Sequence, residues 1–320
     1  MMTVSVIIPV LNEEKYIEEC ITSLCNQTFP IDQTEWLLID GDSTDKTIEY
    51  AEKCAGKYPL KVLHNSYKKT AYALNMGIEN ASGKYIIRMD AHACFANDYI
   101  EKCVYYLEHT DAENVGGIAE TKADGFIGNA IAKMLSTKFG VGNSKFRTCK
   151  DSGYVDTVPF GAFRKQLFEK IGDFNAELTR SEDNDINARI RTTGGKIWLS
   201  NEIHFTYYCR TSIRNLLKMG IANGNALFLT VKVNSSAMSV RHFIPFIFVL
   251  SIIILPLISF IAFFKWIFIC ECILYILIDI YFSFFNKKPI YGFISIWLYP
   301  LFHIAYGIGS LIGLAGIKLY

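Results

Sequence analysis

Two hydrophobic patterns divide the chain near residue 240. Before that point, short apolar runs alternate with segments whose apolar residues recur at helical spacing, and after it apolar residues are almost continuous. Alternation of strand and helix patterns is typical of a parallel α/β sheet. The pattern predicts strand Val4–Val10, helix Glu14–Cys25, strand Glu35–Ile39, helix Thr44–Ala55, strand Leu60–Leu63, helix Ala71–Glu79 and strand Tyr85–Met89.

The C-terminal segment is apolar enough to lie in a lipid bilayer. Residues Phe243–Phe264 contain no charge over a length sufficient to cross a membrane, a second run continues to Phe285, and a third extends roughly from Ile290 to Ile317. We expect three crossings. Two crossings with a re-entrant or interfacial piece are the alternative, because little more than Lys265 separates the first two runs.

Basic residues indicate how this segment is oriented. Five precede the first run, and Lys287 with Lys288 separates the second from the third, so the positive-inside tendency places both groups in the cytosol. The N-terminal sequence MMTVSVIIPV lacks the basic region of a signal peptide, which agrees with a cytosolic N-terminal part. The five basic residues are Arg210, Arg214, Lys218, Lys232 and Arg241.

Composition and charge set limits on partners and compartment. The 32 basic and 31 acidic residues give a net charge of +1, which argues against nucleic acid as a partner. Nine cysteines without a C-x-x-C pair favour reduced thiols in a cytosol-facing protein. We therefore expect an α/β domain at 1–210 and a membrane domain of about three transmembrane helices at 243–320. The linker 211–242 is expected to be amphipathic, lying on the membrane surface or packed on the sheet.

Polar residues follow three of the predicted strands, where ligands bind in parallel sheets. In the last of these clusters, Asp90 and His92 are two residues apart at a strand end, so in an extended segment both side chains point the same way. Such a pair suits a divalent metal ion, although both residue types are also ordinary at strand ends and turns. The other clusters are Asn12-Glu13 and Asp40-Gly41-Asp42-Ser43.

Four spaced motifs carry a resemblance to a known family: SVIIPVLNEEKYI, LLIDGDSTDKT, ALNMGIENASGKYIIRMDAH and RSEDNDINARI. Together they resemble family 2 glycosyltransferases. The resemblance implies a GT-A fold, which is Rossmann-like with a mostly parallel sheet, and a nucleotide-activated sugar as donor. Further stretches, including VDTVPFGAFRKQLFEKIGDFNAEL, resemble the transferases of succinoglycan-type exopolysaccharide biosynthesis.

The resemblance also assigns roles at the donor site. Asp90 and His92 stand at the family's D-x-D motif, which holds Mn²⁺ or Mg²⁺ on the donor diphosphate; the imidazole favours Mn²⁺. The usual D-D-G-S motif appears as D-G-D-S, which puts the contact of Asp42 in question. The positions implied to bind the nucleotide sugar are Pro9, Asn12, Glu13, Asp40, Asp42 and Asp90.

The last motif implies the catalytic base. SEDNDINARI matches the family's T-E-D-x-D-L and places Asp183 at the base position, with Glu182 and Gly161 as supporting residues on the acceptor side. An alternative reading is that the acidic residues stabilise the start of a helix that is capped by Ser181 and stopped by Gly194-Gly195. Both readings are compatible, because a helix N-terminus is a rigid mount for a base.

These implications predict an inverting, metal-dependent hexosyltransferase of the plasma (inner) membrane with a cytosolic catalytic domain. The Q-x-x-R-W motif of processive synthases is absent near GIANGNALF, which favours transfer of one sugar, from a UDP-sugar, to a lipid-linked saccharide. One alternative is transfer of a single sugar directly to polyprenyl phosphate, as dolichyl-phosphate mannose synthases do. Another is a non-catalytic, nucleotide-sugar-binding membrane scaffold.

Overall fold

The chain forms two compact units in a computed structural model that describes residues 2–284 and 289–319. The first comprises Met1–Glu120 with Cys149–Tyr207, and the second comprises Thr121–Thr148 with Tyr208–Tyr320. The strands are β1 Val4–Val10, β2 Thr34–Asp40, β3 Leu60–His64, β4 Tyr85–Arg88, β5 Ala93–Phe95, β6 Ala112–Lys122, β7 Gly153–Tyr154, β8 Ala162–Arg164 and β9 Lys196–Tyr208. The α-helices are α1 Ile17–Cys25, α2 Thr47–Ala55, α3 Thr70–Asn80, α4 Tyr99–His109, α5 Gly125–Met134, α6 Lys138–Val141, α7 Lys145–Thr148, α8 Gln166–Ile171, α9 Glu182–Thr192, α10 Ile213–Val233, α11 Val240–Leu257, α12 Ala262–Phe284 and α13 Pro289–Leu314.

The sheet has the strand order β3-β2-β1-β4-β8-β6-β9-β5, with β7 paired to β9. Its N-terminal half is parallel, because β1 pairs in parallel with β2 and β4, and β2 with β3. Its second half contains antiparallel pairs, including β4 with β8 and β5 with β9. The predicted fold class is confirmed, and the ends of the seven predicted elements differ from the observed ones by at most three residues.

Strand β1 lies in the middle of the parallel half and is buried along nearly its whole length. A strand covered on both faces reads as a continuous hydrophobic run, as VSVIIPV does. Helix α3 packs closely on this strand at Gly77, where a Cβ atom would lie 2.4 Å from Cγ2 of Ile7. This contact holds α3 against β1, and the carboxyl end of β1 and the start of α3 both line the candidate site.

Within residues 2–284 and 289–319, three helices of the second unit are long and apolar enough to cross a membrane. They are Val240–Leu257, Ala262–Phe284 and Ile290–Leu314, with mean hydropathies of 2.2, 2.1 and 1.3. The first two are separated by residues 258–261, so Lys265 lies within α12 and not in the connection expected around it. The predicted basic pair Lys287-Lys288 lies outside the described residues.

Helix α10, in the predicted linker, packs against α13 through glycines on both helices. A Cβ atom on Gly224 would lie 1.9 Å from the carbonyl oxygen of Tyr306, and one on Gly309 would lie 2.1 Å from that of Ile221. Small residues let two helix backbones approach this closely. The partner of this predicted amphipathic helix is therefore an apolar helix of its own unit.

Candidate active site

A cleft lies at the carboxyl ends of β1, β2 and β4 in the first unit, where ligands bind in parallel sheets. Pro9 belongs to β1, Glu13 follows that strand, and Asp90 and His92 follow β4, so four predicted site residues meet in one place. The other lining residues are Val10, Leu11, Gly41, Asn65, Lys68, Lys69, Thr70 and Ala73.

Two lysines of the cleft were not predicted from the motifs. Lys68 and Lys69 directly precede α3, whose first residue, Thr70, also lines the cleft. Ammonium groups and the first N–H groups of a helix both favour anions. The cleft therefore combines the carboxylates of Glu13 and Asp90, which follow two different strands, with an arrangement suited to phosphate oxygens. The basic dipeptide in SYKKTAYAL is the sequence signal for that arrangement.

Asn12 and Asp40 hold the loops that follow β1 and β2. Asn12 has a left-handed backbone conformation, with φ of 56°, and its amide oxygen accepts a hydrogen bond from the Thr44 N–H at 2.8 Å. The Asp40 carboxylate accepts from the Ser43 N–H at 3.1 and 3.3 Å. Neither is among the described residues lining the cleft. In this structure, both side chains shape the loops around it.

Asp42 makes ion-pair contacts beside the cleft. Its carboxylate lies 2.7 Å from His64 Nε2 and 3.3 Å from Lys68 Nζ, and its φ is 64°. The D-G-D-S variant thus turns its second carboxylate toward a histidine and a lysine. The structure brings Asp42 to the edge of the site through Lys68, which lines the cleft.

Asp90 and His92 lie on a turn, because β4 ends at Arg88 and the Ala93 N–H donates to the Asp90 carbonyl at 3.1 Å. The extended geometry from which their pairing was predicted is therefore wrong, although both side chains do line the same cleft. His92 Nδ1 lies 3.5 Å from Glu13 Oε1, which joins the first and third polar clusters. In residues 2–284 and 289–319, no group of three or more His, Cys, Asp or Glu side chains is arranged to hold a metal ion.

A buried arginine, Arg88, connects Asp90, predicted as a metal ligand, to Asp183, predicted as the base. Its side chain is only 5% exposed; its Nε lies 3.0 Å from Asp90 Oδ1, and its Nη1 lies 2.7 Å from Asp183 Oδ1 and 3.2 Å from Glu182 Oε1. Although burial opposes its charge, the carboxylates of Asp183, Asp90 and Glu182 raise the pKa of Arg88. The sequence motifs did not predict a role for Arg88. The sequence feature that could have indicated one is a charged residue at the end of an apolar strand.

Asp183 stands in the first turn of α9 with part of its side chain accessible. Desolvation raises the pKa of Asp183 to about 7, against the opposing effect of the Arg88 guanidinium. Its side chain remains 29% exposed, so a reactant can reach it. The expected cap is different: Ser181 has a φ of 66° and its side chain makes no capping hydrogen bond. The helix ends at Thr192, and Gly194, with a φ of 84°, follows the C-cap residue Thr193.

Gly161 supports the other side of Arg88. Its carbonyl oxygen accepts a hydrogen bond from the Arg88 N–H at 3.1 Å, and a Cβ at this position would lie 2.3 Å from the Phe163 ring. The preceding Phe160 places its ring 6.0 Å from the Arg88 guanidinium carbon. Gly161 therefore contacts the backbone of Arg88, and Arg88 in turn contacts the carboxylates of Asp90, Glu182 and Asp183.

Comparison with known proteins gives these residues a family context. The family described as Glycosyl transferase family 2 matches residues 5–172. A Methanococcus voltae protein named dolichyl N-acetyl-alpha-D-glucosaminyl phosphate 3-beta-D-2,3-diacetamido-2,3-dideoxy-beta-D-glucuronosyltransferase is 31% identical over 96% of both chains. The succinoglycan biosynthesis protein ExoA of Rhizobium meliloti is 28% identical over 65% of this chain and 64% of its own.

Solved structures share the fold at low sequence identity. The mannosyltransferase PcManGT from Pyrobaculum calidifontis, in complex with GDP-Man and Mn²⁺, has a TM-score of 0.61 at 15% identity and covers 98% of this chain and 88% of its own. Residues 1–349 of S. aureus TarS in complex with UDP have a TM-score of 0.51 at 16% identity, covering 100% and 93%. By its sequence match and its fold, the chain belongs to family 2 of the glycosyltransferases.

Proposed function

We propose that the protein transfers a single hexose unit, with inversion, from a UDP-sugar to a lipid-linked saccharide, with the help of a divalent metal ion. The observation that carries the proposal is the convergence of Asp90 and Asp183 on one buried guanidinium, that of Arg88, beside the cleft. Glycosyl transfer needs a base for the acceptor hydroxyl and a group that binds the leaving diphosphate. Arg88 joins Asp183 and Asp90, the residues proposed for these two functions, in one network.

The chemistry assigned to the chain's own residues is a single displacement. The oxygen of an acceptor hydroxyl forms a bond to the anomeric carbon while the bond from that carbon to the diphosphate oxygen breaks. Asp183 accepts the hydroxyl proton, as a general base. Arg88 holds its carboxylate in place, and Glu182 contacts the same guanidinium group. Lys68 and Lys69 stand where phosphate oxygens would be attracted.

Asp90 and His92 are the residues proposed to hold the metal ion. A carboxylate and an imidazole are suitable ligands for Mn²⁺, and two protein ligands leave the remaining positions to donor oxygens and water. A proton on His92 Nδ1, facing Glu13, leaves the lone pair on Nε2 for coordination. When bound, the metal supplies Lewis-acid stabilisation of the charge that develops on the leaving diphosphate. Mn²⁺ is proposed over Mg²⁺ because of the imidazole.

The acceptor and the location are proposed from the relatives and the apolar helices. The Methanococcus voltae relative is named for a dolichyl phosphate that already carries a sugar, which supports a lipid-linked saccharide as acceptor. The Rhizobium meliloti relative supports a role in exopolysaccharide biosynthesis. In this proposal residues 1–210 act in the cytosol, 211–242 link the two parts, and 243–320 anchor the enzyme in the plasma (inner) membrane.

Donor hydrolysis tests this proposal most directly. We expect purified full-length protein to release UDP slowly from one member of a nucleotide-sugar panel with Mn²⁺, less with Mg²⁺ and not with EDTA. Asp90→Asn and His92→Ala should each reduce release by about two orders of magnitude, because a metal contributes several kcal/mol of charge stabilisation. Release of UDP is measured by a coupled assay.

The matched control is His204→Ala, which removes an exposed histidine of β9 that is not among the described cleft residues. It should retain wild-type release. Equal rates in EDTA and Mn²⁺, or equal losses in His92→Ala and His204→Ala, would contradict the assigned metal site.

The pH profile of transfer should report the raised pKa of Asp183. A base acts when deprotonated, and its pKa of about 7 means that the protonated, inactive form accumulates as the pH falls through 7. We therefore expect the acid limb of kcat to lie near pH 7, above the range near 4 typical of an unperturbed aspartate. Donor binding measured at each pH is the control, and an acid limb near 4 would contradict the assignment.

A further inference from the structure

The second unit contains a cavity of about 450 Å³ that the proposed chemistry does not use. Its size falls in the range of about 300–1,000 Å³ typical of small-molecule sites. Its walls come from α6 and the residue after it, one residue of α10, and the three apolar helices α11, α12 and α13. If these three helices cross a membrane, molecules dissolved in the bilayer can reach a cavity that the helices bound.

The polar residues of the cavity are not distributed evenly. Lys138, Arg241 and His242 line it at the starts of α6 and α11. Further along α11 the wall is apolar, with Ile244 and Phe248, and apolar residues of α12 and α13 complete it. The cavity thus has a cationic end and an apolar body.

The acidic residue of the wall lies away from the cationic end. Glu271 of α12 accepts a hydrogen bond from the hydroxyl of Ser251 on α11. Ser251 is ten residues from Arg241, about 15 Å along the helix. An anionic group would therefore be attracted to the Arg241 end and repelled from the Glu271 end.

Hydrogen bonds between helices hold the apolar wall in place. The Tyr275 hydroxyl and His303 Nδ1 lie 2.9 Å apart, which joins α12 to α13. Nε2 of the same histidine lies 2.9 Å from the carbonyl oxygen of Phe139, which joins α13 to α6. Because these polar groups bond to one another, they leave a largely apolar surface for an occupant.

We propose that this cavity binds the phosphate end and first isoprene units of a polyprenyl phosphate lipid carrier. The phosphate would lie at Lys138 and Arg241, and the chain would extend along the apolar body toward α12. This inference rests on the proposed function, since a transferase that acts on a lipid-linked saccharide must hold the carrier. It adds the binding site and the direction in which the carrier lies.

The test uses binding of a photoreactive polyprenyl phosphate to full-length protein in detergent. Leu274 and Leu277 are on the same helix and equally exposed at 59%, but only Leu274 lines the cavity. Leu274→Trp should fill the cavity and reduce photolabelling by about tenfold or more, while Leu277→Trp should leave it unchanged. Arg241→Gln should also reduce labelling, whereas Lys265→Gln, at an exposed lysine outside the cavity, should not.

Competition identifies what the cavity recognises. Unlabelled polyprenyl phosphate should compete fully, while phosphatidylglycerol and inorganic phosphate at equal concentration should not. Equal labelling of Leu274→Trp and Leu277→Trp would overturn the site, and equal competition by phosphatidylglycerol would show a general phospholipid site. Thermal unfolding of each variant excludes misfolding.

A second measurement tests the proposed function independently of the lipid site. Wild-type donor hydrolysis with Mn²⁺, in the same detergent, tests the transferase chemistry without a lipid acceptor. Cavity-dependent labelling without hydrolysis of any donor would contradict the proposed function and support the lipid site. Donor hydrolysis without cavity-dependent labelling would contradict the lipid site and leave the proposed function supported.

Discussion

The Asp183→Asn variant is expected to lose sugar transfer by about 10²–10⁴-fold while binding the nucleotide sugar as tightly as the wild type. Asparagine keeps the shape of the side chain and can still contact Arg88, but it cannot take the acceptor proton. Transfer is measured as incorporation of radiolabelled sugar into a lipid-extracted acceptor. Donor affinity is measured by titration with UDP and Mn²⁺.

Asp185→Asn is the matched control on the same helix. Asp185 is also an acidic residue of the first turn, but its carboxylate pairs with Arg189, one turn further along the same helix, at 2.9 Å. If the acidic residues only stabilise the helix start, both variants should affect transfer similarly. If Asp183 is the base, only its replacement should abolish transfer at a temperature where both proteins are folded.

The parallel half of the fold could be predicted because its sequence pattern is unambiguous. Strands such as Val4–Val10 are apolar on both faces, and the helices between them carry one apolar face. The spacing of apolar residues along the sequence therefore changes at each boundary between a strand and a helix. The helix starts were less accurate: α1 begins at Ile17 and not at Glu14. Residues before a helix share its composition, and only the backbone geometry distinguishes them.

The residues that line the site were easier to predict than their geometry. Pro9, Glu13, Asp90 and His92 do line one cleft, but the pairing of the last two was expected from an extended strand and comes from a turn. A turn and a strand end have similar composition, because both favour Asp and small residues. Sequence spacing alone therefore could not decide the geometry.

Two features had no usable sequence signal. Residues Thr121–Thr148 group with the C-terminal apolar helices, although nothing in their composition separates them from the α/β pattern around them. The burial of Arg88 is also invisible in the sequence, because its three carboxylate partners come from two motifs more than ninety residues apart. Long-range contacts of this kind are decided by the fold.

Arg88→Ala is expected to have the largest effect on stability of any single change in the site. Removing one partner of a buried ion pair costs about 3–5 kcal/mol, because the remaining charge is left uncompensated. Here three carboxylates, of Asp90, Glu182 and Asp183, would face one another without a cation. The change in the free energy of unfolding is measured by denaturant titration of the detergent-solubilised protein.

The double variant Arg88→Ala/Glu182→Gln separates charge from packing. If repulsion among the carboxylates causes the loss, removing the charge of Glu182 should restore part of the stability, so the two changes will not be additive. If Arg88 only fills space, the losses should simply add. The cycle requires Glu182→Gln alone as its fourth member.

Arg88→Lys tests whether the arginine positions the carboxylates as well as neutralising them. A lysine restores the positive charge but is a single point charge, and it cannot reproduce the fork that contacts Asp90 through Nε and Asp183 through Nη1. We expect it to recover most of the stability of the wild type but little of its kcat, with a changed pH profile because Asp183 loses its fixed partner. Recovery of kcat together with stability would mean that charge alone is sufficient, and that the geometry joining the metal motif to the base is not needed for transfer.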